Sequence, residues 1–143
     1  MIVAIIPAKG KSNRLPNKNM SLIHENPMIY YTVKYAEKSN LINDIFISTD
    51  DQKIETYSIE LGIKTIHRPD HLCGEAMIID VYRHAFNTLK SKVDIKMLVG
   101  LQPDHPDRKL DLDHVIKKFQ KDKVDQLISV EKNGTKNGAH FIL

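Results

Sequence analysis

The sequence holds a single cysteine, Cys73, which excludes an internal disulfide and suits a reducing compartment. No apolar run approaches the roughly 20 residues of a membrane span. Met1 leads directly into a strand-like segment with no cationic leader region, so the expected location is cytoplasmic, with no membrane partner. There is no Lys/Arg-rich block, and a net charge of +3 is too small to argue for nucleic acid. Internal repeats, low-complexity tracts and linkers are also missing. What remains is 41% apolar and 27% charged, an ordinary globular composition. A chain of 143 residues buries about 68–70% of its unfolded surface, enough for one sizeable core.

Glycine is sparse, six in all, and this scarcity decides between phosphate motifs. A Walker A loop ending in Gly10-Lys11-Ser12 needs glycine where Ile5 stands. A dinucleotide fingerprint needs three glycines after the first strand, and only Gly10 is there. Nothing around Ser12 resembles a nucleophile elbow. His67, His71 and Cys73 form a cluster, but a second metal-spaced pair is missing, which argues against zinc.

What is present alternates strand and helix. Ile2 to Ile6 is a continuous apolar run, the pattern of a strand buried on both faces. Asn26 and Pro27 are expected to cap and open a helix carrying Ile29, Val33 and Ala36. A second strand is expected over 44–49. Asp51 should cap a helix that stops at Gly62, and Ile63 to Ile66 reads as a third strand. The strongest helix pattern runs from Glu75 to Leu89, with Ile78, Val81, Tyr82, Ala85, Phe86 and Leu89 on one face. Ile95 to Leu101 is a fourth strand, Asp111 opens another helix, and Gln126 to Val130 is a fifth strand. An Asn-Gly turn at 133–134 then leads into a last strand. The fold class this implies is α/β, a mainly parallel sheet with helices on both faces.

Ligands of such sheets gather at the carboxyl ends of the strands. Those ends are the polar, proline-marked stretches 8–18, 67–75 and 102–108. The first carries Lys9, Lys11, Arg14 and Lys18 beside Gly10 and Ser12: either a solvated basic loop or a cradle for phosphates. Arg68, held before Pro69, suits planar bonds to a base carbonyl or a phosphate, or a surface salt bridge. Asp104 is either a turn aspartate bonding its own backbone or a first carboxylate for magnesium.

The opening IIPAKGKSNRLPNKN resembles, position by position, the start of the sugar-acid cytidylyltransferases, the family of CMP-sialic acid and CMP-KDO synthetases, which reads roughly I-I-P-A-R-G-G-S-K-R-[IL]-P-G-K-N. The Arg68-Pro69 pair matches the family's Arg-Pro, whose arginine contacts the cytidine. Leu101-Gln102-Pro103-Asp104-His105-Pro106-Asp107-Arg108 is similar to L-Q-P-T-S-P-L-R of the sialic acid branch, with Asp104 matching the magnesium aspartate of the KDO branch. Asn137-Gly138-Ala139 is similar to the N-G-A strand near the sugar.

The resemblance implies a Rossmann-like nucleotidyltransferase fold and a reaction in which a 2-keto-3-deoxy sugar acid takes CMP from CTP, releasing pyrophosphate. It assigns the nucleotide to Ala8, Lys9, Gly10, Ser12, Lys18 and Arg68, with Lys9 and Lys18 catalytic. It assigns the sugar acid to Asn19, Gln102 and Asn137, and Mg²⁺ to Asp104. Departures are also legible. Lys9 stands where the family has arginine, Gly74 to Ile78 replaces a hydroxyl-rich turn, and a few residues replace the family's dimerisation arm. The expectation is a single domain over 1–143 lacking that arm and the family's C-terminal part. Any oligomer would use another surface, and turnover would be weak or absent. The alternatives are a nucleotide- or sugar-binding module and a fragment of a longer enzyme.

Overall fold

The computed structural model describes residues 1–11 and 15–143. In chain order the elements are β1 (Ile2–Pro7), a short hairpin of β2 (Leu22–Ile23) and β3 (Asn26–Pro27), α1 (Met28–Glu37), β4 (Asp44–Thr49), α2 (Gln52–Glu60), β5 (Lys64–His67), α3 (Ile78–Leu89), β6 (Met97–Gly100), α4 (Leu112–Asp122), β7 (Leu127–Val130) and β8 (Lys136–Ile142). Single 3₁₀ turns occupy Lys18–Met20 and Asp70–Leu72. No helix among the described residues is long and apolar enough to cross a membrane.

Six strands form one sheet in the order β5-β4-β1-β6-β8-β7. The first four are mutually parallel. β8 runs antiparallel to both β6 and β7. The mainly parallel α/β sheet expected from the alternation is therefore observed. β1 lies centrally, and its apolar run is continuous because both faces are covered. Ala4 and Ile6 face α1, α2 and α4 through Ile29, Val33, Ile54, Leu112 and Ile116. Val3 and Ile5 face α3 through Tyr82, Ala85 and Leu89.

The local signals mostly place the helices. The Asp51 carboxylate accepts from the N–H groups of Lys53 and Ile54 at 2.9 and 3.0 Å, and Asp111 accepts from His114 N–H at 3.1 Å. Each such cap is worth about 1 kcal/mol. Two helix starts differ from expectation. Asn26 and Pro27 pair with Ile23 and Leu22 as strand, and Pro27 is extended (ψ 146°), so α1 starts at Met28. The Ser21 carbonyl accepts the Met28 N–H at 2.9 Å, a tertiary cap that local sequence does not announce. α3 begins at Ile78 rather than Glu75, because Met77 is extended (ψ 140°). That leaves 74–77 as a loop at the edge of the sheet.

Candidate functional site

The carboxyl ends of β1, β5 and β6 open into a cleft of about 200 Å³. Its lining includes Lys9, Lys18, Asn19, Arg68, Gln102 and Asp104. Six of the residues singled out in the sequence thus meet, from three separate stretches. A larger adjoining cleft of about 610 Å³ shares Ile78, Gln102 and Asp104 with the first and adds Asn137, Gly138, His105 and Phe141. The site is two-lobed, with Gln102 and Asp104 on the divide. β8 reaches the second lobe because it runs backwards, so its amino end lies beside the carboxyl end of β6.

The first loop leaves β1 at Ala8, which is fully buried and donates its N–H to Ser48 O at 2.9 Å. The Gly10 N–H, a candidate for phosphate, instead donates to Asp50 Oδ1 at 2.9 Å. Gly10 packs so tightly on Asp51 that a Cβ there would collide with the carboxylate. Ser12 lies outside the described residues. Asn19 is 5% exposed and donates from Nδ2 to Lys9 O at 3.0 Å, tying the return of the loop to its start. Lys9 Nζ donates to Gly74 O at 3.3 Å, across to the turn before α3. Lys18 Nζ stands 3.6 Å from Asp104 Oδ2. With both side chains over a third exposed, that pair is worth at most about 1 kcal/mol and exchanges readily.

Arg68 is 3% exposed, and Ser48 holds it through Nε to Oγ (3.3 Å) and Nη2 to the carbonyl (2.8 Å). The surface salt-bridge reading of Arg68 is thereby excluded. Burial lowers its pKa, and the nearby Asp50 works in the opposite direction. Gln102 donates its backbone N–H to Gly138 O at 3.0 Å. Its side-chain amide lies flat on Gly138, where any Cβ would overlap it. Asn137 accepts from Ala139 N–H at 3.0 Å and donates to Glu131 Oε1 at 2.7 Å, within the β7–β8 hairpin.

Arg108 organises the loop after β6, a role that its spacing did not reveal. Its Nε donates to Ala139 O (2.8 Å), Nη1 to Thr32 Oγ1 (3.0 Å) and His105 O (2.6 Å), and Nη2 to Gln102 O. It also lies over the Tyr35 ring, 5.4 Å from the centroid. Burial pushes its pKa down to about 10. These bonds set the path of the loop that carries Gln102 and Asp104. Beneath it, Tyr35 Oη donates to Leu110 O (2.8 Å) and contacts His140 Nε2 (2.6 Å), while Ser129 Oγ meets Nδ1 (3.0 Å). With the tyrosine proton on Leu110 O, a proton on Nε2 and an unprotonated Nδ1 accepting from Ser129 satisfy all four groups. His140 is neutral, its pKa pushed down to about 4 by burial and by Arg108.

Among the described residues no group of three or more His, Cys, Asp or Glu side chains is placed to hold a metal. Asp104 is the one described carboxylate lining the first cleft.

The profile of the family described as cytidylyltransferase matches residues 3–135. The 3-deoxy-manno-octulosonate cytidylyltransferase of Psychrobacter arcticus is 32% identical over 103 residues, 71% of this chain and 37% of that protein. The N-acylneuraminate cytidylyltransferase of Escherichia coli is 30% identical over 116 residues, 80% of this chain and 26% of that protein. This chain therefore spans well under half the length of these curated relatives. Among solved structures, CMP:2-keto-3-deoxy-manno-octonic acid synthetase complexed with CTP superposes with a TM-score of 0.70 at 26% identity, covering 86% of this chain and 48% of that one. A cytidylyltransferase from Leptospira borgpetersenii shares the fold, with a TM-score of 0.74 at 18% identity over 99% of this chain and 59% of that one. The family match begins in the first strand and ends in the turn before β8, so it takes in every residue that lines the first cleft, and the chain belongs to the cytidylyltransferase family.

Proposed function

We propose that the chain binds CTP in the first cleft and a 2-keto-3-deoxy sugar acid in the second, as the core of an enzyme that forms the CMP-sugar and releases pyrophosphate. The observation that carries this reading is the convergence of Lys9, Lys18, Arg68, Gln102 and Asp104 on one cleft at the strand ends. A relative of the same fold is known with CTP bound, which supports the choice of nucleotide. In the proposed reaction the anomeric hydroxyl attacks the α-phosphorus. A new P–O bond forms, the bond to the bridging oxygen breaks, pyrophosphate leaves and the hydroxyl proton is lost to solvent. Positioning and charge neutralisation supply most of the acceleration in such transfers.

Lys9 and Lys18 would neutralise the triphosphate, with Lys18 exchanging Asp104 for phosphate oxygen. Arg68, oriented by Ser48, would face the base and ribose. Gln102 on the divide would reach the sugar acid, and Asn137 would line its far side. Asp104 offers one hard oxygen ligand, which fits Mg²⁺ carried mainly by substrate phosphates. Bound there, the ion would add charge neutralisation at the phosphates.

A second reading, a nucleotide-binding module with weak turnover, is favoured by two observations. One described carboxylate lines the cleft, and Lys9 already bonds the Gly74 carbonyl. Calorimetric titration with CTP, UTP, ATP and GTP, with and without Mg²⁺, tests the shared claim. CTP should bind best, and Lys18→Glu should weaken it at least about tenfold, since charge-assisted bonds to phosphate are the strong ones. Equal affinity for all four nucleotides, or unchanged CTP affinity in a folded Lys18→Glu variant, refutes the CTP site. Pyrophosphate release with a panel of sugar acids separates the two readings. We expect weak or no release, and robust Mg²⁺-dependent release establishes the enzyme.

A further inference from the structure

Tyr82 lies in α3, 1% exposed, with its ring stacked on Phe141 at 4.8 Å between centroids and 22° between planes. It crosses β6 at Gly100, where any Cβ would collide with Cζ and Oη, so the missing side chain at 100 is what lets the ring extend over the strand. The hydroxyl at its tip is buried and has no hydrogen-bond partner among the described residues. Buried tyrosine hydroxyls ordinarily have one, and a phenylalanine would fill the same volume without an unsatisfied polar atom. The hydroxyl lies within electrostatic range of Arg68, Asp104 and Arg108, the charges gathered at the strand ends. Tyr82 also lines the second cleft together with Gln102, Asp104 and Asn137. Met77 and Ile78, which line that cleft too, are 69% and 36% exposed.

We infer that the Tyr82 hydroxyl is an acceptor-binding group: it hydrogen-bonds a hydroxyl or carboxylate oxygen of the sugar acid at the floor of the second cleft. The inference rests on the cytidylyltransferase reading and adds to it a residue absent from the motif positions. Gly100 and Tyr82 then act as a pair, the glycine admitting the ring and the ring delivering its hydroxyl to the acceptor.

The test is Tyr82→Phe. Binding of 3-deoxy-manno-octulosonate and of an N-acylneuraminate is measured by calorimetry, each with and without saturating CTP, beside CTP binding and Tm. The expected variant has CTP affinity within about twofold of the wild type, a Tm equal or higher, and acid affinity at least about tenfold weaker, the loss for one good hydrogen bond. Unchanged acid affinity overturns the inference and leaves the hydroxyl as buried packing. A lower Tm also overturns it, because it reveals an internal partner such as a fixed water. A wild type that binds CTP but neither acid overturns it while the nucleotide site stands. A wild type that fails to bind CTP refutes the nucleotide reading, and the acids titrated alone then decide Tyr82.

Discussion

Replacing Arg108 by alanine should cost about 3 kcal/mol of folding stability and loosen the loop that carries Gln102 and Asp104. The figure follows from what the guanidinium holds. Three backbone carbonyls, of Gln102, His105 and Ala139, and the Thr32 hydroxyl each accept from it. Bonds to a charged donor contribute roughly 1.5–3 kcal/mol apiece. Their sum is reduced because the guanidinium is itself desolvated in the wild type, as its lowered pKa shows. The removed side chain leaves carbonyls of β8 and of the loop after β6 without a donor, and the Tyr35 ring loses its cation. Against a typical total of about 5–15 kcal/mol, the loss is large. Urea unfolding measures it as a lower midpoint at unchanged slope. Arg108→Lys should recover less than half, because one ammonium cannot fork to partners in three directions. A loss below about 1 kcal/mol for alanine, or full recovery by lysine, would refute the clamp.

His140 predicts an acid-side weakness. Its folded pKa of about 4 lies below the unfolded value of 6.5, so between those pH values the unfolded chain takes up a proton that the folded chain does not. Stability therefore falls as pH drops from 6.5 toward 4, by up to about 3 kcal/mol from this group, and is unaffected by it above 7. Urea midpoints should drop more steeply over this window for the wild type than for His140→Gln, and parallel profiles would contradict the assignment. Gly138→Ala should leave Tm nearly unchanged, because the group it strikes is the mobile end of Gln102. The same substitution should weaken sugar-acid binding several-fold while sparing CTP, and equal acid affinity would show that Gln102 does not reach the acceptor.

Features governed by near neighbours in the chain were legible from the sequence. The run Ile2 to Ile6 announces a strand covered on both faces, Asp51 and Asp111 announce their helices, and the Asn133-Gly134 turn announces the β7–β8 hairpin. The strand-end rule places Lys9, Lys18, Arg68, Gln102 and Asp104 in one region, and the structure brings them to one cleft. What the sequence left open depends on partners distant in the chain. Pro27 reads as a helix opener, yet pairing with Leu22 holds it in strand. Gly10 reads as a phosphate donor until Asp50 takes its N–H. Asn137 is grouped with Gln102 by resemblance, and it is the reversed β8 that brings the two together on the second lobe. Arg108 and Tyr82 carried no local sign of their roles. A guanidinium becomes a clamp only where α1, β8 and the loop after β6 present acceptors together. A tyrosine hydroxyl is stranded only where a strand passes with a glycine beneath it. Short-range propensity selects the elements, whereas the meeting of groups across the sheet, with the desolvation it imposes, decides what each side chain at the site can do.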